Sequence, residues 1–172
     1  MSFSTDVKRE AAALPMKKTC CRRALIAGAL LGGAMGCDDE IALQTDDAAA
    51  AELCARLVRA QFGRECEPQP IGKRGFLLTF PSRSAAALIR DSAADPRVLI
   101  RCPECAAALF RGLFLGGGTI SAPRNYYHLE LKSRAAVDPS PLAALAAENG
   151  IAFKASTRLG KPSLYLKDSS AI

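Results

Sequence analysis

The sequence predicts an α+β fold of two pseudo-symmetric αββαββα repeats, and three observations carry that prediction. The segment from Cys21 to Gly33, Cys-Arg-Arg-Ala-Leu-Ile-Ala-Gly-Ala-Leu-Leu-Gly-Gly, returns from Cys105 to Gly117 as Cys-Ala-Ala-Ala-Leu-Phe-Arg-Gly-Leu-Phe-Leu-Gly-Gly. The offset is 84 throughout, and seven of the thirteen positions are identical. Further on, Ile41 and Leu43 match Leu129 and Leu131, while Gly72-Lys73 and Leu78 match Gly160-Lys161 and Leu166, all at an offset of 88. The step from 84 to 88 places four extra residues in the second copy, between Gly118 and Tyr127. Apolar, alternating and Ala-rich stretches also follow one another in the same order in both copies.

Residues 1–19 read as an N-terminal extension. The first repeat, 20–95, opens with an apolar, Gly-containing helix over 20–33, followed by a shortened hairpin and an Ala-rich helix over 47–62. Strands near 65–70 and 76–80 come next, joined by a Gly72-Lys73 turn, and then a helix over 84–92. Asp95-Pro96 marks the linker. The second repeat, 96–172, begins with a helix over 105–118. A strand at 119–122 then turns through Pro-Arg-Asn into 126–133. There Leu129 and Leu131 alternate with His128, Glu130 and Lys132, the period of a half-buried strand. Pro141 suits the first turn of a helix over 140–149, and Gly150 suits its end. Strands over 151–157 and 163–167 close the repeat around Gly160-Lys161. By the offset of 88, the helix near Ser84 should recur near residue 172, so the second repeat is expected to lack its last helix.

Composition narrows the functional classes. A chain of 172 residues has the size of one domain and buries roughly two-thirds of its unfolded surface, so it can fold without disulfides or metal. Hydrophobic residues at 49% and charged residues at 23% exclude a disordered or collagen-like chain. A net charge of +6 suits a polyanionic partner. With no Trp, 6% aromatics and one His, the chain poorly supplies a stacking platform for single strands or a mechanism needing several histidines. Seven cysteines cannot all pair internally, and in a cytosolic chain they read as reduced thiols.

Lys17-Lys18-Thr19-Cys20-Cys21-Arg22-Arg23, followed by an apolar run to Gly36 and then Cys37, has the outline of a lipoprotein signal. It is too short to span a membrane. Its return in the middle of the chain decides against secretion, because a signal would not recur there. The run is read as a core helix, and the chain as cytoplasmic, with no membrane partner. Gly28 and Gly32, and likewise Gly112 and Gly116, fall on one face of each helix. A glycine inside a helix costs roughly 1 kcal/mol against Ala, so the pairs predict two helices nearly touching along a pseudo-two-fold seam.

Two Gly-centred helices, each leading into β-β-α-β-β-α, resemble the LAGLIDADG homing-endonuclease fold in single-chain form. More narrowly, several blocks resemble the N-terminal part of the bacterial WhiA regulators. They are Met1-Ser-Phe-Ser-Thr-Asp-Val-Lys-Arg-Glu10, Cys20-Cys21-Arg22-Arg23-Ala24, Phe110-Arg111-Gly112-Leu113-Phe114-Leu115-Gly116-Gly117-Gly118, Tyr127-His128-Leu129-Glu130 and Tyr165-Leu166-Lys167-Asp168. The resemblance implies a transcription regulator tied to cell division, chromosome segregation and sporulation, on a nuclease-like fold without nuclease chemistry. The residues agree on their own terms. A two-metal nuclease needs a carboxylate at the end of each Gly helix, and the acidic positions of that motif fall here on Gly33 and Gly117, and on Leu31 and Leu115. Asp38, Asp39 and Glu40 follow the first helix, but the second copy offers Thr119-Ile120-Ser121. No catalytic residue, resident metal or cofactor is expected. WhiA regulators also carry a C-terminal helix-turn-helix domain that this sequence does not contain, so most operator reading is expected to lie outside it.

Lys73, Arg74, Arg158 and Lys161 fall at the matched hairpin turns. With Lys132 and Arg134 they form either a basic sheet face for duplex phosphates or a plain solvated surface. The expected partner is double-stranded DNA, held weakly and with little sequence choice, which implies a nucleoid-associated place in the cytoplasm. A protein-interaction module for a partner such as a sigma factor is the alternative, and an active homing endonuclease a further one. Cys102-Pro-Glu-Cys105 is half a zinc site, and Cys20-Cys21 occupies the matching place in the first copy. The four are read as a possible four-thiol site or as buried free thiols. His128 reads as a surface residue. Gly116-Gly117-Gly118 closes a helix, so its dipole is wrong for binding an anion.

Overall fold

The computed structural model describes residues 2–36, 39–122, 127–135 and 137–167, with the backbone alone at Arg158. The first repeat contains α2 (Thr19–Gly33), β1 (Ala34–Met35), β2 (Glu40–Thr45), α3 (Ala48–Phe62), β3 (Gln69–Ile71), β4 (Gly75–Pro81) and α4 (Arg83–Ala94). A short 3-10 turn, Pro96–Leu99, leads to α5 (Cys105–Gly117), β5 (Gly118–Ile120), β6 (Leu129–Lys132), α6 (Ser140–Glu148), β7 (Lys154–Arg158) and β8 (Lys161–Leu166). Each repeat forms its own antiparallel four-stranded sheet, in the orders β1-β2-β4-β3 and β5-β6-β8-β7. The fold class is α+β, with the two sheets related as the two repeats are. The expectation that the second repeat lacks its last helix, near residue 172, concerns residues outside those described, as does the Pro-Arg-Asn turn at 123–125.

The extension contains a helix that the sequence reading left unassigned, α1 (Phe3–Ala13), whose N-cap Ser2 accepts a hydrogen bond from the Thr5 amide at 3.2 Å. Several strands are shorter than expected, β6 covering only Leu129–Lys132 of the expected 126–133 and β5 ending at Ile120. Residues 65–68 stay off the first sheet, where Pro68 and Pro70 deprive an edge strand of amide donors. β7 starts only at Lys154, because the amides of Ile151 and Phe153 donate instead to the carbonyls of Ala146 and Ile151. The register also corrects the repeat alignment. Leu43 pairs with Leu78, whereas its counterpart Leu131 pairs with Leu164, not Leu166. The cause is the turn. The first hairpin closes over 72–74, between Ile71 and Gly75, whereas the second closes over Leu159 and Gly160, both with positive φ as a tight type I′ turn demands. Lys73 therefore stands in a loop, while Lys161 is the first residue of a strand.

The apolar run read as a core helix lies at the centre of the molecule, with every residue from Ala24 to Ala34 buried. α2 and α5 pack side by side and parallel, glycine against backbone. A Cβ on Gly28 would stand 2.9 Å from the Leu113 amide nitrogen, and one on Gly112 would stand 2.8 Å from that of Ala29. Gly32 and Gly116 repeat the arrangement one turn later, against the Leu113 carbonyl at 2.8 Å and the Gly33 amide at 3.0 Å. The inner faces of the sheets, through Ile41, Leu43, Leu78 and Phe80 and through Leu131, Leu164 and Leu166, complete the core.

Each repeat also caps the helix of the other. The last carbonyls of a helix have no partner within it. The Thr45 hydroxyl, at the end of β2, donates to the Leu115 carbonyl at 2.8 Å, and the Ser133 hydroxyl, just after β6, donates to the Leu31 carbonyl at 2.8 Å. Thr45 and Ser133 stand 88 apart, and their acceptors 84 apart, as the repeat requires. Thr45→Val should cost about 1–2 kcal/mol in urea unfolding, and Ser133→Ala a similar amount, since each leaves a buried carbonyl unpaired. Unchanged unfolding midpoints for both would contradict the exchange of caps.

Candidate nucleic-acid interface

The two helix ends meet where the sheets join, the place at which a nuclease of this shape would hold metal. Here both ends are closed by backbone. A Cβ on Gly33 would lie 2.9 Å from the Gly116 carbonyl and the same distance from a Leu43 methyl, and one on Gly117 would lie 2.6 Å from the Gly32 carbonyl. Leu31 and Leu115, at the earlier acidic positions, are fully buried. The space beneath is entered by a cation. Lys8 from α1 is 2% exposed, is ion-paired with Asp46 and stands 5.6 Å from the centre of the Phe114 ring. A buried ammonium at this point opposes the entry of a divalent cation. Asp39 is drawn outward to Arg83 at 2.8 Å, which holds its carboxyl below the usual range, and Glu40 is exposed. Asp38 lies outside the described residues.

The open faces of the two sheets differ in charge. The strands of the first sheet, Ala34–Met35, Glu40–Thr45, Gln69–Ile71 and Gly75–Pro81, contain no Lys or Arg. Alternation and register place Met35, Glu40, Ala42, Gln44, Gln69, Leu77 and Thr79 on its open side, so its one charged group there among the described strand residues is a carboxylate. On the second sheet the same reasoning places Thr119, Glu130, Lys132, Lys154, Lys161 and Tyr165 on the open side. Lys167 continues this face, its ammonium 5.6 Å from the Tyr165 ring centre, and His128 stacks on the same ring at 6.1 Å. Glu130 lies 3.6 Å from Lys132 and offsets part of its charge.

Lys132, Arg134 and Lys161 are brought together with Lys8 and Gln44 around a cavity of about 750 Å³ at the seam. Lys73 and Arg74, exposed on the turn of the first sheet, do not line it. The sequence reading treated the two turns as equivalent; the different turn lengths separate them. The side chain of Arg158 lies outside the described residues. Sequence reasoning missed Lys154, Lys8 and Asp46. Lys154 was legible as one end of an alternating run, whereas Lys8 required the helix of the extension to be recognised from Ser2, the Ala-rich stretch and Pro15. At the opposite end of α2 and α5, far from both sheets' open faces, Cys20, Cys21, Cys102 and Cys105 gather at the helix starts. Cys54 is apart from them and inert, burial pushing its thiol up to about 12.

Comparison with known proteins sets this geometry beside relatives. Residues 106–172 match the WhiA LAGLIDADG-like domain. The "Probable cell division protein WhiA" of Heliobacterium modesticaldum is 28% identical over 194 residues, a match covering 100% of this chain and 61% of that protein. The chain thus spans about three-fifths of the length of that relative. The crystal structure of the N-terminal LAGLIDADG domain of DUF199/WhiA superposes with a TM-score of 0.77 at 18% identity, over 99% of this chain and 86% of that one. The crystal structure of I-DmoI in complex with DNA and Mn superposes with a TM-score of 0.57 at 11% identity, over 86% of this chain and 90% of that one. At these identities the two structural likenesses are of fold.

Proposed function

This chain is a homologue of the WhiA N-terminal LAGLIDADG domain, and from that premise we propose that it is a non-catalytic, DNA-associated module of a transcription regulator. The relatives' name ties it to cell division; control of chromosome segregation and of sporulation belongs to the same proposal, as does a cytoplasmic place at the nucleoid. No helix among the described residues is long and apolar enough to cross a membrane.

The observation that carries the reading is the contrast between the closed helix ends and the basic second sheet. At Gly33 and Gly117 a carboxylate would collide with backbone carbonyls, so the metal-holding positions are closed to any side chain. The Lys132, Lys154 and Lys161 side of the second sheet offers what phosphate contacts need without offering base readout. Affinity of roughly 10⁻⁴–10⁻⁶ M near physiological salt, with little sequence choice, is what such a surface supplies. The partly apolar open face of the first sheet, whose strands offer no cation, favours a second reading, in which that face docks a protein partner such as a sigma factor. Incubated in excess with supercoiled plasmid and magnesium or manganese, the chain should retard the plasmid on a gel without nicking it. Site-specific cleavage abolished by Glu40→Gln would overturn the non-catalytic reading.

A further inference from the structure

Four cysteines from the two repeats meet at the N-terminal ends of the parallel helices. Cys20 and Cys21 belong to the first turn of α2, and Cys105 opens α5 with Cys102 three residues before it. The Cys102 sulfur lies 3.7 Å from that of Cys20, 3.4 Å from that of Cys21 and 3.5 Å from that of Cys105. All four sulfurs lie within 4.8 Å of one another, and none is in a disulfide. A tetrahedral zinc ion with Zn–S bonds of about 2.3 Å holds its sulfurs about 3.8 Å apart. Four thiols already gathered at nearly that spacing, two buried and two half-buried, are too tightly grouped for an iron–sulfur cluster, which must fit several iron and sulfide ions between them.

A second observation points to an anionic group at the same place. α1, α3 and α4 are each capped by a side-chain oxygen, from Ser2, Asp47 and Ser82. α2 and α5 have none, their N-cap residues being Lys18 and Glu104. Two helix N-termini therefore converge on the sulfurs with their first amides uncapped by any side chain, and the positive ends of both helix dipoles favour an anionic group there. Four thiolates around one divalent zinc carry a net charge of −2. The neighbouring residues Lys17, Lys18, Arg22, Arg23 and Arg101 supply cations to offset it. Lys18 also pairs with Glu104 at 2.8 Å, tying the two helix starts together beside the cluster.

We infer that Cys20, Cys21, Cys102 and Cys105 form a structural zinc site that clips the two repeats together at the back of the helix pair. Binding replaces the four thiol protons by four Zn–S bonds and releases those protons to solvent, with no redox change. The ligand set is closed, so the ion has no open position for catalysis. Two ligands come from each repeat, and the ion joins cysteines that lie more than eighty residues apart in the sequence. The site lies at the far end of the helices from the closed metal positions of the nuclease fold, and the inference does not depend on DNA binding.

The test is metal content. The chain, expressed with zinc in the medium and purified without chelators, should contain about one zinc ion per molecule by mass spectrometry of the metal. Cys102→Ser with Cys105→Ser should lose it, whereas Cys66→Ser should keep it. Because the double variant could fail to fold, chelator-stripped wild-type protein is also titrated with cobalt(II) under reducing conditions. It should develop thiolate-to-cobalt charge-transfer absorption and the intense visible bands of tetrahedral cobalt, both abolished by added zinc. Wild-type protein without zinc and without those bands would overturn the inference. So would zinc retained by the double variant, zinc lost on Cys66→Ser, or iron occupying the site in place of zinc.

Discussion

Gly112→Ala should destabilise the chain by about 3 kcal/mol or more, although the same exchange in an ordinary helix stabilises by about 1 kcal/mol. The sign is what makes the result informative. Ala is the better helix former, and an open helical site would reward it. At Gly112 the new methyl would meet the Leu25 carbonyl and stand 2.8 Å from the Ala29 amide, and neither is a side chain that can swing aside. Relief requires α2 and α5 to separate, which loosens the contacts of Leu25, Ala29, Leu109 and Leu113 in the middle of the core. Gly116→Val adds two further methyls one turn along the same seam and should cost more, into the range at which a domain of this size stays unfolded at room temperature. Thermal and urea unfolding read both variants. Near-wild-type melting for either would sink the model of two helices in backbone contact.

The seam was legible because a repeated glycine spacing has few explanations inside a helix. The caps were not legible, because Thr45 and Ser133 look like ordinary polar residues at strand ends until the helices of the opposite repeats are placed beside them. The strands were readable where apolar residues alternate, as at Leu129 and Leu131, and unreadable where prolines cut the ladder short, as at Pro68 and Pro70. The candidate interface was half legible. Charge could be counted in the sequence, and Lys132 and Lys161 were picked out. That the first sheet contributes no cation from its strands follows from register and turn length, and the two hairpin turns differ by one residue. The cysteines were paired across the repeats by the offset alone, but their convergence needed the parallel packing of α2 and α5. Lys8 was missed because its partner Asp46 lies 38 residues away, and nothing local to α1 marks one lysine for burial.

Function rests on two unlike sheet faces, one basic and one whose strands hold no Lys or Arg, below helix ends closed to metal. Such an arrangement ties affinity to phosphate neutralisation by the second repeat. Each phosphate contact contributes about −0.9 to the slope of log K against log salt on duplex DNA. Lys132, Lys154 and Lys161 together with Arg134 therefore predict a slope of roughly −3 to −5 for the wild-type chain. Removing the three lysines as Lys132→Ala, Lys154→Ala and Lys161→Ala should flatten it by roughly 2–3 and weaken binding about equally to all sequences, since these residues face phosphates and not base edges. The pair Lys73→Ala and Arg74→Ala, on the turn of the first sheet, should change the slope far less. The most direct test is a fluorescence-anisotropy titration of one labelled duplex at several salt concentrations with wild-type and triple-variant chains. The account predicts a steep wild-type line and a much flatter one for the triple variant. Parallel lines, or a wild-type slope near zero, would contradict it.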